Sequence, residues 1–314
     1  MNPDAIESGR LPWMDSGADP WVLRHGDQFL YCRSTGERIE LRRASTLRGL
    51  ADATPVPVWK GPVGGKWSRE LWAPELHRID GVWTIFAAAD DGRNENHRMI
   101  VLRRAEDDPL GAFRFAGPLR LEPDRWAIDG TWCDLGDRGR FLLWSGWEGE
   151  RNVAQHLYIC PMRSATVVAG PRVRLSSPEF EWERRGSGGA DRLPTINEGP
   201  QVLLRDGWVH VIFSAAGSWS DDYCLGRLSL PPGRDPLDAT AWMKHPEPVF
   251  SRTDAILGPG HASFTSTPDG TDWIVYHSAR RSGSGWDRQV RLQPYKWDGV
   301  RPLFGRPGEP PARP

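Results

Sequence analysis

The chain has 314 residues, with 40 lysines and arginines against 41 aspartates and glutamates and a formal net charge of -1. A charge this close to zero, with the arginines scattered rather than blocked, does not make the positive field that nucleic acid or an anionic membrane requires. Hydrophobic residues make up 39% and charged residues 26%, the balance of a globular domain with a proper core, and no apolar run approaches the roughly 20 residues that span a bilayer.

Seventeen tryptophans stand out. Indoles in such number fill a β-rich core or line a carbohydrate cleft, where their faces stack on the C–H faces of sugars. The first residues, Met1 to Trp13, carry Asp4, Glu7 and Arg10 and no apolar stretch of the secretory type, so a cytoplasmic location is expected, with export by another route left open. The four cysteines (Cys32, Cys133, Cys160, Cys224) have no Cys-x-x-Cys pairing and make no zinc motif. Cys32, Cys160 and Cys224 fall in strand-like runs, the usual place of a reduced, buried thiol.

Glycines and prolines break up any long helical pattern, and the strand signals recur in units. The first unit reads as a strand at 21–23, a turn at His25-Gly26-Asp27, a strand at 28–32 and another at 38–42. The second has 76–79, Asp80-Gly81, 82–87 and 99–103; the third has 131–135, Arg138-Gly139, 140–144 and 156–160. The fourth has 201–204, Asp206-Gly207 and 208–213, and the fifth has 263–267, Asp269-Gly270, 272–277 and 290–295. The glycine-containing turns are hairpin signals, and their glycines recur every 55 to 68 residues. Strand, turn, strand, loop, strand is the meander of one propeller blade. Five units predict an all-β, single-domain, five-bladed β-propeller over residues 1–314, with its core at about 18–305. A β-sandwich is the plainer alternative, but sandwiches space their strands without such a superperiod.

In propellers the first strand of each blade lines the central channel. Just upstream of the five turns stand Asp19, Glu75, Asp129, Glu198 and His261, a titratable residue from every blade at about the same position. Carboxylates converging in one pit raise one another's proton affinity, so one of them is held protonated near neutral pH. That suits glycoside hydrolysis, in which one carboxylic acid protonates the leaving oxygen and another carboxylate activates water or attacks directly.

The segments Ala18-Asp19-Pro20-Trp21-Val22, Trp72-Ala73-Pro74-Glu75-Leu76, Ile128-Asp129-Gly130-Thr131 and Asn197-Glu198-Gly199-Pro200 resemble glycoside hydrolase family 43, and in the same order along the chain. The resemblance covers about residues 18–305. It implies an inverting hydrolase in which Asp19 is the general base, Glu198 the general acid, and Asp129 the residue that orients the acid and tunes its pKa. Gly260-His261-Ala262-Ser263-Phe264 resembles the family's fifth-blade histidine, which implies a channel role and, through water, a Ca2+ or Na+ ion; no cofactor is required. Arg288-Gln289-Val290-Arg291-Leu292-Gln293 is also similar to the family, with Arg291 expected to reach the acid. Trp72, Glu75, Thr131, His261 and Arg291 are the expected substrate contacts. The stretch 87–99 is most similar to the arabinofuranosidase-type members. The implied activity is release of terminal α-L-arabinofuranosyl units from arabino-oligosaccharides or arabinoxylan fragments, with no carbohydrate-binding module, no nucleic acid or membrane partner, and the oligomeric state open. A β-D-xylosidase, an endo-arabinanase and a non-catalytic sugar-binding propeller are the alternatives.

Each residue also has a plainer reading. Asp19 before Pro20 and Asp129 before Gly130 could simply make turns, Glu198 could be a solvated loop acid, Glu75 could pair with an arginine such as Arg69, and Trp72 could pack between blades. Asp90-Asp91-Gly92 lacks the later ligands of a calcium loop and reads as a blade turn. Arg234-Asp235-Pro236 lies in a Pro-rich connector away from the chemistry.

Overall fold

The computed structural model describes residues 6–188 and 193–311. Residues 189–192, part of the Gly-rich 184–193 loop on the expected leaving-group side, lie outside the described residues, as do Asp4 and the last three positions.

Five antiparallel sheets follow one another along the chain. Blade I contains β1 (Trp21–His25), β2 (Gln28–Ser34), β3 (Arg38–Ala44) and β4 (Val56–Lys60). Blade II contains β5 (Arg69–Ile79), β6 (Val82–Asp90), β7 (Arg98–Arg104) and β8 (Arg114–Pro118). Blade III contains β9 (Ala127–Asp134), β10 (Arg140–Gly146) and β11 (His156–Ser164), whose outer edge pairs with both β12 (Val167–Val168) and β13 (Val173–Ser176). Blade IV contains β14 (Asn197–Arg205), β15 (Trp208–Ala215), β16 (Cys224–Leu230) and β17 (Met243–Lys244). Blade V contains β18 (Gly260–Ser266), β19 (Asp272–Ala279), β20 (Arg288–Asp298) and β21 (Arg301–Leu303). All five expected turns join the first and second strands of a blade. The expected five-bladed propeller is the fold.

The continuous apolar runs follow from sheets that are covered on both faces. On β15, Val209, Val211 and Phe213 pack with Cys133, Phe141 and Leu143 of blade III, while Ile212, on the other face, packs with Ile274 and Tyr276 of blade V. The same holds around the ring: each of the five apolar clusters fills one interface between neighbouring blades. All four cysteines are buried and unpaired within them or beside them. Burial pushes the thiols of Cys133, Cys160 and Cys224 up to about 12, so they stay protonated.

The outermost strands β4, β8, β12, β13, β17 and β21 were not foreseen, and of β16 only a strand-like run at Cys224 was. Most of the outer strands are short, and β8 is largely exposed, so they lack the alternation that marks a half-buried strand. The ring is sealed from the other end of the chain. Trp13 and Met14 donate their backbone N–H groups to Val290 O of β20 (2.8 and 3.1 Å), and Val290 returns a bond to Met14 O (2.9 Å). The innermost strands β1 and β18 pack side by side across this junction.

Candidate active site

The site begins with a backbone irregularity repeated in every blade. Near the start of β5, β9, β14 and β18 the pairing register slips, at Trp72/Glu75, opposite Leu143/Ser145, at Glu198/Gln201 and at Gly260/Ser263. At each slip the chain turns left-handed: Ala73 (φ 41°), Asp129 (58°), Gly199 (55°) and His261 (45°), with Asp19 (47°) just before β1. Positive φ is strained for any residue with a Cβ and clusters at functional sites. A bulge of this kind re-aims a side chain out of the ladder, here toward the channel mouth.

These positions correct the expected register. Asp19, Asp129 and His261 are truly equivalent, whereas Glu198 precedes its left-handed residue by one and Glu75 follows its own by two. Glu75, Thr131, Gln201 and Ser263 share a deeper, buried layer. There Gln201 Nε2 donates to Glu75 Oε1, and Glu75 Oε2 lies 3.0 Å from His77 Nε2. Glu75 and Thr131 are therefore not among the residues lining the cavity; their side chains brace the channel below it and are not the substrate contacts expected of them.

The cavity has a volume of about 690 Å³ and is lined by Asp19, Trp72, Asp129, Glu198, His261 and Arg288 among others. Asp19 Oδ1 lies 3.2 Å from His261 Nδ1, 3.4 Å from His277 Nδ1 and 3.5 Å from Arg288 Nη1. Burial opposes its charge, but these three partners outweigh burial and hold the carboxyl well below the usual range. Asp19 N–H also lies 3.2 Å from His277 Nδ1. Burial, then the charge of Arg288, keeps that ring neutral, pushed down to about 3.

Glu198 is buried and accepts a 2.7 Å hydrogen bond from the Tyr223 hydroxyl on Oε1. Burial raises its pKa, assisted by the Asp19 charge and moderated by Tyr223, His261 and Arg288. Asp129 accepts from Gly199 N–H (2.9 Å), so it holds the backbone of the residue after Glu198. Asn197, the residue before Glu198, is tied by its side chain to Glu183 Oε1 (3.0 Å), itself bonded to Lys244 Nζ (2.6 Å). Both backbone neighbours of the acid are thus fixed from the side.

Burial, followed by the Glu198 and Asp19 charges, pushes Asp129 up to about 7, against about 3.9 for an unfolded aspartate. The folded state therefore holds a proton between these values that the unfolded chain has lost. The resulting stabilisation is full below about pH 4 and disappears as pH rises through about 7. Asp129→Asn should gain on wild type by about 2–4 °C in melting temperature between about pH 5 and about pH 8. A difference that stays constant over that range would show Asp129 ionised as an ordinary aspartate.

Arg291 does not reach the acid. Its guanidinium is buried against Ser278 Oγ (2.9 Å), Gly9 O (2.7 Å) and Arg10 O (2.9 Å), anchoring the N-terminal segment. Arg288 points into the cavity instead. The two lie three residues apart on β20, so strand alternation sends them to opposite faces. Tyr223, His277 and Arg288 were missed by sequence reading. Tyr223 and His277 carry no local motif, and in the Arg288–Gln293 stretch Arg291 was chosen over Arg288, although the parity of β20 favours Arg288.

Aromatic side chains shape the walls. Trp72 stacks on His97 (centroids 3.9 Å apart, planes at 27°). Trp126 stacks on Trp147 (4.9 Å, 10°). At the rim, Trp219 and Trp286 meet edge to face (6.3 Å, 85°), and Trp286 is 67% exposed.

Among the described residues, no three His, Cys, Asp or Glu side chains are grouped as a metal-binding set. Burial disfavours charge on His261, but Asp19, Asp129, Glu198 and Glu75 outweigh burial and raise its pKa. His261 Nδ1 faces Asp19 Oδ1 at 3.2 Å.

A five-bladed propeller that aims three carboxylates and an imidazole into one sugar-sized cavity belongs to the propellers built around an acid–base pit. The chain belongs to glycosyl hydrolases family 43, whose model matches residues 14–300. It is 32% identical over 314 residues to an alpha-L-arabinofuranosidase 43 of Humicola insolens, a match covering 94% of this chain and 63% of that protein. It is 34% identical over 276 residues to an extracellular exo-alpha-(1->5)-L-arabinofuranosidase of Streptomyces chartreusis, covering 85% and 81%. The chain thus spans less than two thirds of the Humicola protein's length. The crystal structure of an alpha-L-arabinofuranosidase from Lactobacillus brevis superposes with a TM-score of 0.87 at 30% identity, covering 96% of this chain and 98% of that one.

Proposed function

We propose that the protein is an inverting glycosidase that removes terminal α-L-arabinofuranosyl units from arabino-oligosaccharides or arabinoxylan fragments. One observation carries the chemistry. Two carboxyl groups, Asp19 from blade I and Glu198 from blade IV, enter one cavity with opposite pKa shifts, the first lowered by its cationic neighbours and the second raised by burial. In this reading Asp19 takes a proton from water as it attacks the anomeric carbon, and Glu198 gives its proton to the departing glycosidic oxygen from the opposite side. Asp129 fixes the backbone of Gly199, the residue after Glu198. His261 and Arg288 hold the Asp19 carboxylate in place. No covalent intermediate forms, and this inverting route requires the two carboxyl groups to be about 6.5–9.5 Å apart to admit the water. The arabinofuranosyl assignment is supported by the names of the relatives above.

The test compares initial rates on 4-nitrophenyl α-L-arabinofuranoside and β-D-xyloside and follows the first-formed anomer by proton NMR. Preferred arabinoside turnover with an inverted product is expected. A retained anomer would remove Asp19 from its role as base on water, and turnover of the xyloside alone would replace the substrate.

The rim tryptophans offer a stacking platform for the leaving-group sugar. Trp286→Ala is expected to raise KM for an arabino-oligosaccharide by about three- to tenfold, the worth of one aromatic stack, with kcat little changed. An unchanged KM would show that the leaving group avoids this side of the rim.

A further inference from the structure

A second pair of cavities opens between blades IV and V at the far end of the molecule. The mouth end of blade IV is where Glu198 pairs with Ser214; at the opposite end Arg205 pairs with Trp208. Here lie two adjoining hollows of about 510 and 520 Å³, both lined by Arg227, His245 and Arg301. The first has Arg306 as well, and no acidic residue in its wall.

Arg227 is the unusual group. It is half-buried on β16, and its Nε is shielded with no hydrogen-bond partner among the described residues. The cations around it are each engaged: Arg301 with Asp298, Lys244 with Glu183 (2.6 Å), Arg306 with Glu309 (3.6 Å). No ion pair involves Arg227 among the described residues, and Arg301 adds repulsion. A guanidinium that is partly desolvated and unpaired is an electrostatic liability, and such local violations concentrate where a ligand completes the structure. The walls nearby are aromatic and apolar. Trp208 stacks in parallel with His210 (6.1 Å, 5°) in one hollow, and Phe304 and Val249 line the other.

We propose that this groove is a second carbohydrate-binding site that takes a uronate, with the sugar carboxylate on Arg227 and the sugar ring against Trp208. A planar guanidinium matches a carboxylate in bidentate geometry, and the flanking aromatic faces suit a pyranose ring. The site would hold an acidic side branch of a glycan while the neutral arabinosyl unit is processed at the other end of the molecule. Its ligand binding is independent of the catalytic assignment.

The experiment is calorimetric titration of the whole protein with D-glucuronate, D-glucose and inorganic sulfate, repeated with Arg227→Gln. Saturable binding of glucuronate is expected, weakened about tenfold in the variant, with glucose silent and sulfate weaker. Because Arg227 has no partner to lose, the variant should melt at or above the wild-type temperature and keep its rate on the nitrophenyl arabinoside. Equal glucuronate affinity in wild type and variant would overturn the site and place any binding elsewhere, such as at Arg288. Sulfate binding as tightly as glucuronate, or glucose binding equally well, would overturn the assignment to a uronate.

Discussion

Asp19→Ala should lower kcat on 4-nitrophenyl α-L-arabinofuranoside by about 10²–10⁴-fold, the usual worth of a general base. The nitrophenyl substrate suits this test because its leaving group departs without protonation, leaving activation of water as the demanding step. The substitution also strips His261 and Arg288 of their shared carboxylate, so part of the loss could come from two cations left facing each other. Asp19→Asn separates the effects. It keeps the size of the side chain and an acceptor oxygen but has no basicity, and it should lose about as much activity while melting closer to wild type. Substantial turnover by the asparagine variant would show that Asp19 positions its neighbours and that another group activates water.

Glu198→Gln should divide substrates by leaving group. On arabinobiose, whose leaving alkoxide needs a proton, the expected loss is about 10²–10⁴-fold; on the nitrophenyl arabinoside it should be far smaller. The pH profile gives a second readout. Glu198 acts in its protonated form, and burial raises its pKa, so wild-type kcat/KM on arabinobiose should fall as pH rises through that raised value. The glutamine variant should lose this alkaline limb. A uniform loss on both substrates with the limb retained would assign the proton donor elsewhere. Asp129 would be the first alternative, since it also holds a proton near neutrality.

What could be read from the sequence was whatever local chemistry dictates. Asp80-Gly81 and Asp206-Gly207 place a left-handed pair between two apolar runs, and a hairpin is the direct consequence. Asp19, Asp129, Glu198 and His261 were found because each stands a little upstream of such a hairpin, 7 to 10 residues before its turn glycine. The misreadings share one cause. A strand alternates its side chains, but a bulge shifts the count, and no residue type marks it: Ala73 and Gly199 occupy the same left-handed position as Asp129. Counting back from the turns therefore put Glu75 in the cavity, although the bulge sends it to the layer beneath. Tyr223 is beyond any such count. It lies just before β16, in a blade whose third strand carries no turn signal of its own, and its hydroxyl reaches Glu198 on β14, two strands away in the same sheet. Arg291 was expected to reach the acid, and only the pairing of β20 with β19 shows that parity gives the cavity to Arg288 instead.

The backbone bonds between Trp13, Met14 and Val290 give the molecule a seam. Every blade is assembled from hairpins that close short loops and can form early, whereas this one contact joins residues from nearly opposite ends of the chain. Lengthening a loop raises its closure entropy only slowly, but the rate of forming such a distant contact suffers more. The ring is thus expected to shut last in folding and to part first under stress. Crosslinking the segment around Met14 to β20 would slow unfolding, and a chain permuted by joining its ends and reopening it between β8 and β9 would turn the slowest junction into a contact between neighbours in sequence.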